Sequence, residues 1–199
     1  MANRNSAGWG FRPAGTLGNT PATHGLSQYW IDAAASVDLF HGMAMKSSGG
    51  YMITGESGDT VTTVGVLQGI YYNAATTLKP TWASWYDATI TPANSEDTQA
   101  FVNDYPFQKY TIASDVLVAS TIVGAHALFM ETFSVNANTG GNTTTGVSTT
   151  TLEIGQTHAT THSWRLLRSA EDPENSDLTA AYVTLEVVQN LSEFVGTGT

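Results

Sequence analysis

Two histidines stand at the spacing of a metal-binding motif. His158 and His162 enclose the sequence Ala-Thr-Thr, and imidazoles at this spacing on one helix bind zinc in metalloproteases. The general-base glutamate of that motif is absent, and a Thr-rich stretch does not favour a helix. The chain also has no cysteine, which excludes disulfides and thiolate metal sites. We therefore predict no metal and no cofactor, with both histidines facing solvent.

A short acidic turn offers a second candidate for cation binding. Glu171, Asp172, Glu174 and Asp177 lie within seven residues, and calcium prefers such oxygen ligands. The spacing lacks the central glycine and the terminal glutamate of an EF-hand loop, while Pro173 favours a tight turn. A solvated turn is the favoured interpretation, with calcium as the alternative.

Carboxylates also raise the question of catalysis. Glu131, Glu153 and Glu186 are candidates for the acid pair of a glycoside hydrolase, which needs two carboxyl groups flanking a cleft. The sequence does not bring any two of them together. It contains neither a G-x-S-x-G nucleophile elbow nor a phosphate-binding loop. We predict that the protein is not an enzyme and has no catalytic residues.

Clustered aromatic residues allow a binding function. Tyr71, Tyr72, Trp82, Trp85 and Tyr86 could form a platform on which sugar rings stack. Aromatic residues at strand spacing more often belong to a core or a subunit interface. The core or interface is favoured here, and a carbohydrate-binding or host-adhesion module is the alternative function.

Charge limits the possible partners. The 199 residues hold 7 Lys and Arg against 17 Asp and Glu, a formal net charge of −10. Nucleic acids and anionic membranes are bound through clustered basic residues, so neither is a predicted partner. No apolar run has the roughly 20 residues of a membrane helix. Residues 1–13 lack the apolar segment of a secretory signal.

The first 25 residues are predicted to form an extended N-terminal arm. Glycine and proline recur through this segment, which disfavours helix and regular strand. Arg4 and Arg12 are the only charged residues before Asp32. Trp9 and Phe11 are costly to leave in water, so the arm should dock on its own body or on a partner. A frayed terminus with incidental arginines is the alternative.

The remaining chain reads as one β domain. Hydrophobic residues make up 41% of the sequence, enough for a core, while Thr is abundant and charged helix formers are scarce. Alternating patterns at 110–118 and 181–187, with other short apolar runs such as 39–46, 51–54 and 60–72, predict about nine strands. Gly65 and Gly69 interrupt the last of these runs and indicate bends or bulges. We predict a mainly β fold, a β-sandwich, jelly roll or small barrel, over 26–192. Residues 136–150 are nearly all Asn, Gly, Thr and Ser and have almost nothing to bury, so they are predicted as a mobile loop or projecting hairpin. Residues 193–199 are predicted as a flexible tail.

Both ends of the chain resemble a known family. The opening Met-Ala-Asn, the turn Gly10 to Pro13 and the strand-like Leu39 to Gly42 follow one another in order. Near the other end come Trp164 to Leu167, the turn Asp172 to Asn175, and a Val-rich strand that ends at Asn190. This arrangement is similar to that of the cement, or head decoration, proteins of tailed-bacteriophage capsids.

The resemblance implies a jelly-roll-like protein on the outer surface of a virion. The partner would be the major capsid protein, and the chain would associate with itself, a homotrimer being favoured over a dimer. No catalysis, nucleic acid or membrane is implied. Within this role we predict that Arg4, Trp9, Phe11 and Arg12 contact the capsid. On this basis removing residues 1–25 should abolish capsid binding and leave the body folded.

Overall fold

The computed structural model describes residues 3–18, 25–55, 62–136, 138 and 140–195. Predictions for the first two residues, for 19–24 and for residues 196–199 of the predicted tail at 193–199 lie outside these ranges. The described chain is mainly strand and turn, with one short α-helix, α1 (Ile122–His126). Its strands are β1 (Arg12–Thr16), β2 (Ser27–Ile31), β3 (Ala44–Ser48), β4 (Tyr51–Thr54), β5 (Gly65–Asn73), β6 (Pro80–Ala83), β7 (Thr98–Asn103), β8 (Gln108–Ala113), β9 (Thr132–Phe133), β10 (Val135–Asn136), β11 (Gly141–Asn142), β12 (Val147–Ser148), β13 (Thr151–Leu152), β14 (Trp164–Ser169) and β15 (Thr184–Gln189).

Two antiparallel sheets organise these strands. The first sheet has the order β1-β8-β15-β14-β9. The second sheet has the order β2-β7-β5-β3-β4, and β6 pairs with β5 beside it. The pairs β10–β13 and β11–β12 stand apart as short ladders. The predicted mainly β fold is confirmed, and its antiparallel sheets are consistent with a β-sandwich.

Two hydrophobic cores cover opposite faces of the second sheet. The first core lies against the first sheet, where Tyr110, Trp164 and Leu185 are buried together with Val66 of β5. Leu67 follows Val66 on the same strand and belongs to the second core. Because side chains alternate across a strand, the two cores lie on opposite sides of β5. The other buried members of the second core include Leu39, Phe40, Met43, Met45, Ile70, Tyr86, Ala100 and Val102.

Several strands form where the sequence predicts them. β4 covers the predicted Tyr51–Thr54, and the pairing of β5 with β7 shifts register just before Gly69, one of the two glycines at which a bend or bulge is expected. In β15, Leu185 and Val187 are fully buried in the first core, on the side that the alternation predicts, although Glu186 and Val188 on the other side are also largely buried. The strand predicted over 39–46 begins only at Ala44, because Gly42 turns the chain at a φ of +82°.

The segment between β8 and β9 departs from the predicted pattern. The alternation at 110–118 ends as a strand at Ala113, and helix α1 follows. Thr121 caps this helix, since its hydroxyl accepts a hydrogen bond from the backbone N–H of Gly124 at 3.1 Å. Within the described part of the chain, no helix has the length and apolar character needed to span a membrane.

The predicted arm is partly built into the body. Residues 12–16 form β1, an edge strand of the first sheet paired with β8. The backbone N–H of Gly10 donates to the carbonyl of Thr150 at 3.1 Å, and that of Phe11 donates to the carbonyl of Gly42 at 2.8 Å. Of the two docking alternatives, the structure therefore shows the one in which this segment lies on its own body.

The polar segment at 136–150 forms a hairpin, β11–β12, that packs on the second core. Phe40 lies against Gly141, and Trp85 lies against Gly146. Asn138 is fully buried: its Oδ1 accepts from the N–H of Ala44 and from the hydroxyl of Thr150, both at 3.1 Å. The expectation that this segment has almost nothing to bury is wrong, because polar side chains such as Asn138 are buried and form hydrogen bonds with backbone groups inside the protein.

Candidate functional site

Asn3 and Arg4, near the N-terminus, contact the acidic turn at 171–177 of the same chain. The side chain of Asn3 accepts from the N–H of Asp177 at 3.0 Å and donates to the carbonyl of Ala181 at 2.9 Å. Nη1 of Arg4 lies 2.7 Å from both carboxylate oxygens of Glu174. The positive charge of Arg4 is thus balanced within the chain. A salt bridge this exposed contributes little stability, so the backbone and amide contacts hold the segment.

Phe11 is a core residue. Its side chain is 0% exposed, and its ring stacks on the indole of Trp164 with centroids 4.0 Å apart. The ring of Tyr110 meets it edge-on at 5.8 Å. The prediction that Phe11 contacts a capsid is wrong, because the ring cannot leave this position without opening the first core. Because Phe11 belongs to the first core, removing residues 1–25 should destabilise the body, contrary to the expectation that the body is unaffected.

Trp9 and Arg12 do reach the surface. The guanidinium carbon of Arg12 lies 5.3 Å from the centroid of the Trp9 ring, the geometry of a cation–π contact. Together with Asn5, Thr111 and Asp172, they line a small cleft of about 270 Å³ that Thr184 completes. Of the four predicted contact residues, Trp9 and Arg12 therefore share one site, while Arg4 lies on the acidic turn.

A basic face covers the outside of the first sheet. We define it as Arg12, Lys109, Arg165 and Arg168, which are four of the seven Lys and Arg residues of the chain. Strand register aligns them: Arg12 lies opposite Thr111, Thr111 opposite Glu186, and Glu186 opposite Arg168. In the neighbouring row, Lys109 and Arg165 flank Val188. The net charge of −10 is therefore distributed unevenly, with the cations concentrated on one sheet.

Glu186 lies in the middle of the basic face. Nε and Nη2 of Arg168 donate to its two oxygens at 3.0 and 3.1 Å, and Nζ of Lys109 lies 3.6 Å away. Burial alone would raise the pKa of Glu186, but the hydrogen bonds from Arg168 and the charge of Lys109 outweigh it and lower that pKa. This carboxylate stays ionised and holds two cations in a fixed arrangement.

Arg165 forms no salt bridge with the residues that the structure describes. Its guanidinium donates to the carbonyl of Met130 at 2.7 Å and to the side-chain oxygen of Asn190 at 2.8 Å. Both acceptors are neutral, so the side chain is oriented but its charge is not cancelled. Arg12 contacts the Trp9 ring and likewise forms no salt bridge within the described part of the chain, so the two cations of the basic face without a salt-bridge partner there lie on its outer strands, β1 and β14.

The acidic turn uses its oxygens internally. The carboxylate of Asp172 accepts from the N–H of Glu174, the side-chain amide of Asn175 and the hydroxyl of Thr184, at 2.8 to 3.2 Å. These hydrogen bonds, led by that of Asn175, lower the pKa of Asp172. The described residues contain no group of three acidic or histidine side chains placed to hold a metal ion.

The two motif histidines differ in environment. His162 is 3% exposed and its Nδ1 lies 3.2 Å from the carbonyl of Thr132, so the expectation that it faces solvent is wrong. His158 is exposed, and its Nδ1 lies 3.4 Å from Glu131. No helix holds them, because 157–163 is turn and coil between short strands.

The three candidate carboxylates bind unrelated groups. Glu131 meets His158, Glu153 accepts from the hydroxyl of Ser134 at 2.6 Å, and Glu186 is enclosed by Arg168 and Lys109. None of these contacts pairs one candidate with another. These contacts have local structural roles, and they do not place two of the three carboxyl groups together as a glycoside hydrolase requires.

The clustered aromatic residues divide between the core and the surface. Tyr86 is 1% exposed in the second core, Trp85 stacks on Phe40 at 5.1 Å, and Tyr72 packs against the same core. Tyr71 and Trp82 lie opposite each other on β5 and β6 and point away from that core. The favoured core interpretation therefore fits three of the five side chains.

A groove opens beside Tyr71 on the second sheet. It encloses about 550 Å³, and its lining includes Trp30, Tyr51, Tyr71, Asp97 and Gln99. The hydroxyl of Tyr51 donates to Asp97 at 3.1 Å, and this hydrogen bond raises the pKa of Tyr51. The other oxygen of Asp97 accepts from the N–H of Ala33 at 3.0 Å. One tyrosine and one carboxylate are thus fixed at the groove.

The segment between β8 and β9 carries several exposed apolar side chains, which we call the apolar patch. We define it as Val116, Leu117, Ile122, Val123 and Met130, all of them exposed. Val123 on helix α1 is 81% exposed, while Ala125 on the same helix is buried in the first core. Exposed apolar side chains grouped in this way are typical of protein–protein contacts.

Sequence reasoning missed the basic face and the groove. Both depend on which strands become neighbours, and Lys109 and Arg165 lie far apart in the sequence but flank one residue of β15. The alternation in each strand was a partial signal, since it places Lys109 on the side opposite Tyr110. Comparisons with protein-family models, with curated proteins and with solved structures gave no match.

Proposed function

We propose that this protein is a cement protein on the outside of a tailed-bacteriophage capsid, where it stabilises the shell across capsomer boundaries. The observation that carries the proposal is the basic face on a chain whose net charge is −10. The family resemblance of both chain ends supports it. The jelly-roll-like strand path that the resemblance implies stays a prediction.

The charge distribution suits a protein that binds a surface in one orientation. Arg12 and Arg165 would face acidic groups of the major capsid protein, while the acidic remainder would face solvent and keep a densely coated particle soluble. Each contact is modest, but symmetry repeats it over the shell and an oligomer engages several sites at once. Trp9 adds an aromatic anchor beside Arg12.

Self-association is proposed through the apolar patch. A homotrimer would match the threefold and quasi-threefold positions of a capsid, and a dimer is the alternative. Val123→Asp should convert the oligomer to a monomer in analytical ultracentrifugation while the circular dichroism spectrum is unchanged. An oligomer that survives this charge in the patch would place the subunit contact elsewhere.

The proposal is tested by sedimenting the protein with expanded capsids that lack it. We expect saturable binding near one copy per major capsid subunit, and a raised melting temperature of the capsid. Replacing Arg12 and Arg165 together by Gln should weaken binding about tenfold, or ~1.4 kcal/mol, and reduce its salt dependence. Lys79→Gln is the matched control, because it removes an exposed positive charge outside the basic face. Absence of co-sedimentation would refute the proposal.

A further inference from the structure

The groove on the second sheet is formed by a stretch of that sheet that the first sheet does not cover. On β7, Asn103, Phe101 and Gln99 share one face. Asn103 is buried, and its carbonyl accepts from the hydroxyl of Tyr110 in the first core. Gln99, four residues away on the same face, lines the open groove. The sheet thus extends beyond its partner and exposes aromatic side chains there.

Two aromatic rings stand apart on this exposed face. Trp30 lies opposite Gln99, and Gln99 lies opposite Tyr71, so the two rings stand on strands separated by β7. Two strand spacings amount to about 10 Å. Trp30 is 48% exposed although it is a large apolar residue. Aromatic faces at this separation can each stack on a flat ligand ring, whereas a cage for one cation needs rings around a single point.

The polar lining favours a neutral ligand rich in hydroxyl groups. Gln99 and Asn73 supply amide donors and acceptors, and Glu96 and Asp97 supply acceptors. None of the described residues that line the groove carries a positive charge, which disfavours phosphate, sulfate and carboxylate ligands. The volume of about 550 Å³ lies within the range of small-molecule sites.

From this arrangement we propose that the groove binds a neutral, linear oligosaccharide. Trp30 and Tyr71 stack on two sugar rings, and the side chains of Gln99 and Asp97 bind hydroxyl groups between them. The hydrogen bond from Tyr51 holds Asp97 in place before the ligand arrives. This activity is independent of capsid binding, since the basic face lies on the other sheet.

Isothermal titration calorimetry on the full chain tests the proposal, with cellohexaose, laminarihexaose, maltohexaose and chitohexaose as probes. At least one should bind saturably. Trp30→Ala and Tyr71→Ala should each weaken that binding about tenfold or more. Phe107→Ala is the matched control, since Phe107 is 49% exposed but lies outside the groove, and it should change the affinity less than twofold.

A second measurement guards against variants that fail to fold. Trp30→Phe keeps an aromatic ring and should retain saccharide binding, but it should remove most of the change in tryptophan fluorescence that the ligand causes in the unaltered protein. Binding of tetramethylammonium with none of the four saccharides would overturn the proposal in favour of a cation site. Absence of binding to every probe at millimolar concentration would overturn it as well.

Discussion

The ring of Phe11 stacks on the indole of Trp164 at a centroid distance of 4.0 Å and an interplanar angle of 30°. Trp164 begins β14, so this contact joins the N-terminal segment to the interior of the first sheet. Both side chains are fully buried. The segment is therefore part of the folded body, and its contribution to stability can be measured separately from any partner.

Phe11→Ala should lower the free energy of unfolding by about 3–5 kcal/mol, because it removes a ring from a packed core and leaves a cavity. Urea denaturation followed by circular dichroism measures this change. Leu17→Ala is the control, since Leu17 is already 38% exposed and should cost much less. Equal effects of the two substitutions would contradict the burial of Phe11.

Gly10 is required where the chain passes close to Gly42. Its φ is +72°, and a Cβ atom there would lie 2.6 Å from the carbonyl oxygen of Gly42. Gly18 has nearly the same φ, +74°, but nothing lies within 4 Å of its Cβ position. Gly18→Ala should cost about 1–2 kcal/mol from backbone strain alone, and Gly10→Ala should cost clearly more.

Thermal and urea unfolding of both glycine variants give the comparison. The difference between the two costs isolates the steric conflict with Gly42 from the shared backbone strain. If Gly10→Ala were no more destabilising than Gly18→Ala, the close approach of the two chain segments would be disproved.

Asn138 should be essential for the position of the hairpin. Asn138→Ala leaves the N–H of Ala44 without its partner, and a buried unsatisfied group costs about 1–3 kcal/mol. The carbonyl of Ala44 loses the amide of Asn138 but keeps its hydrogen bond from the N–H of Gly55 at 2.8 Å. Asn136→Ala, at an exposed position, should stay within about 0.5 kcal/mol of the unaltered protein. Hydrogen exchange of the Ala44 amide provides a local readout, and we expect it to accelerate only in Asn138→Ala.

Protonation of Asp177 in the acidic turn should lower the stability of the protein at low pH. Hydrogen bonds from the hydroxyl and the N–H of Thr179 lower the pKa of Asp177 to about 2. A lowered pKa stabilises the fold fully above the unfolded value of 3.8, and this contribution is lost as the pH falls from about 4 towards 2. The melting temperature should therefore decrease over that interval.

Asp177→Asn provides the matched comparison for this pH dependence. The variant should melt below the unaltered protein at pH 7, and the two melting temperatures should converge towards pH 2. A gap between them that stays constant with pH would show that ionisation of Asp177 does not contribute to folding stability.

Local patterns in the sequence predicted where strands form better than they predicted which strands pair with each other. The alternation around Leu185 and Val187 identified β15 and the side of it that faces the first core, because successive side chains of a strand point to opposite faces of the sheet. The order in which the strands pair could not be predicted, since a single sequence does not show that β15 lies between β8 and β14. Arg168, Lys109 and Glu186 meet only through that order.

Compositional inference failed where polar residues are used inside the protein. The segment around Asn138 looked exposed because it contains few apolar side chains, yet its amide binds buried backbone groups. Phe11 was predicted to anchor the arm on a partner because it is a large aromatic residue in a segment whose glycine and proline content disfavours regular structure. The structure shows that Gly10 lets the chain pass close to Gly42, because a glycine has no side chain to collide there. The glycine in this segment therefore permits close packing.

The central position of β15 has a consequence for folding during synthesis. It is the last strand along the described chain and the middle one of the first sheet, so β8 and β14 find their partner only after residues 184–189 have been made. Until then both strands present unpaired edges, which are prone to aggregation. The first sheet therefore assembles late and through contacts between residues distant in the sequence, a topology associated with slow folding.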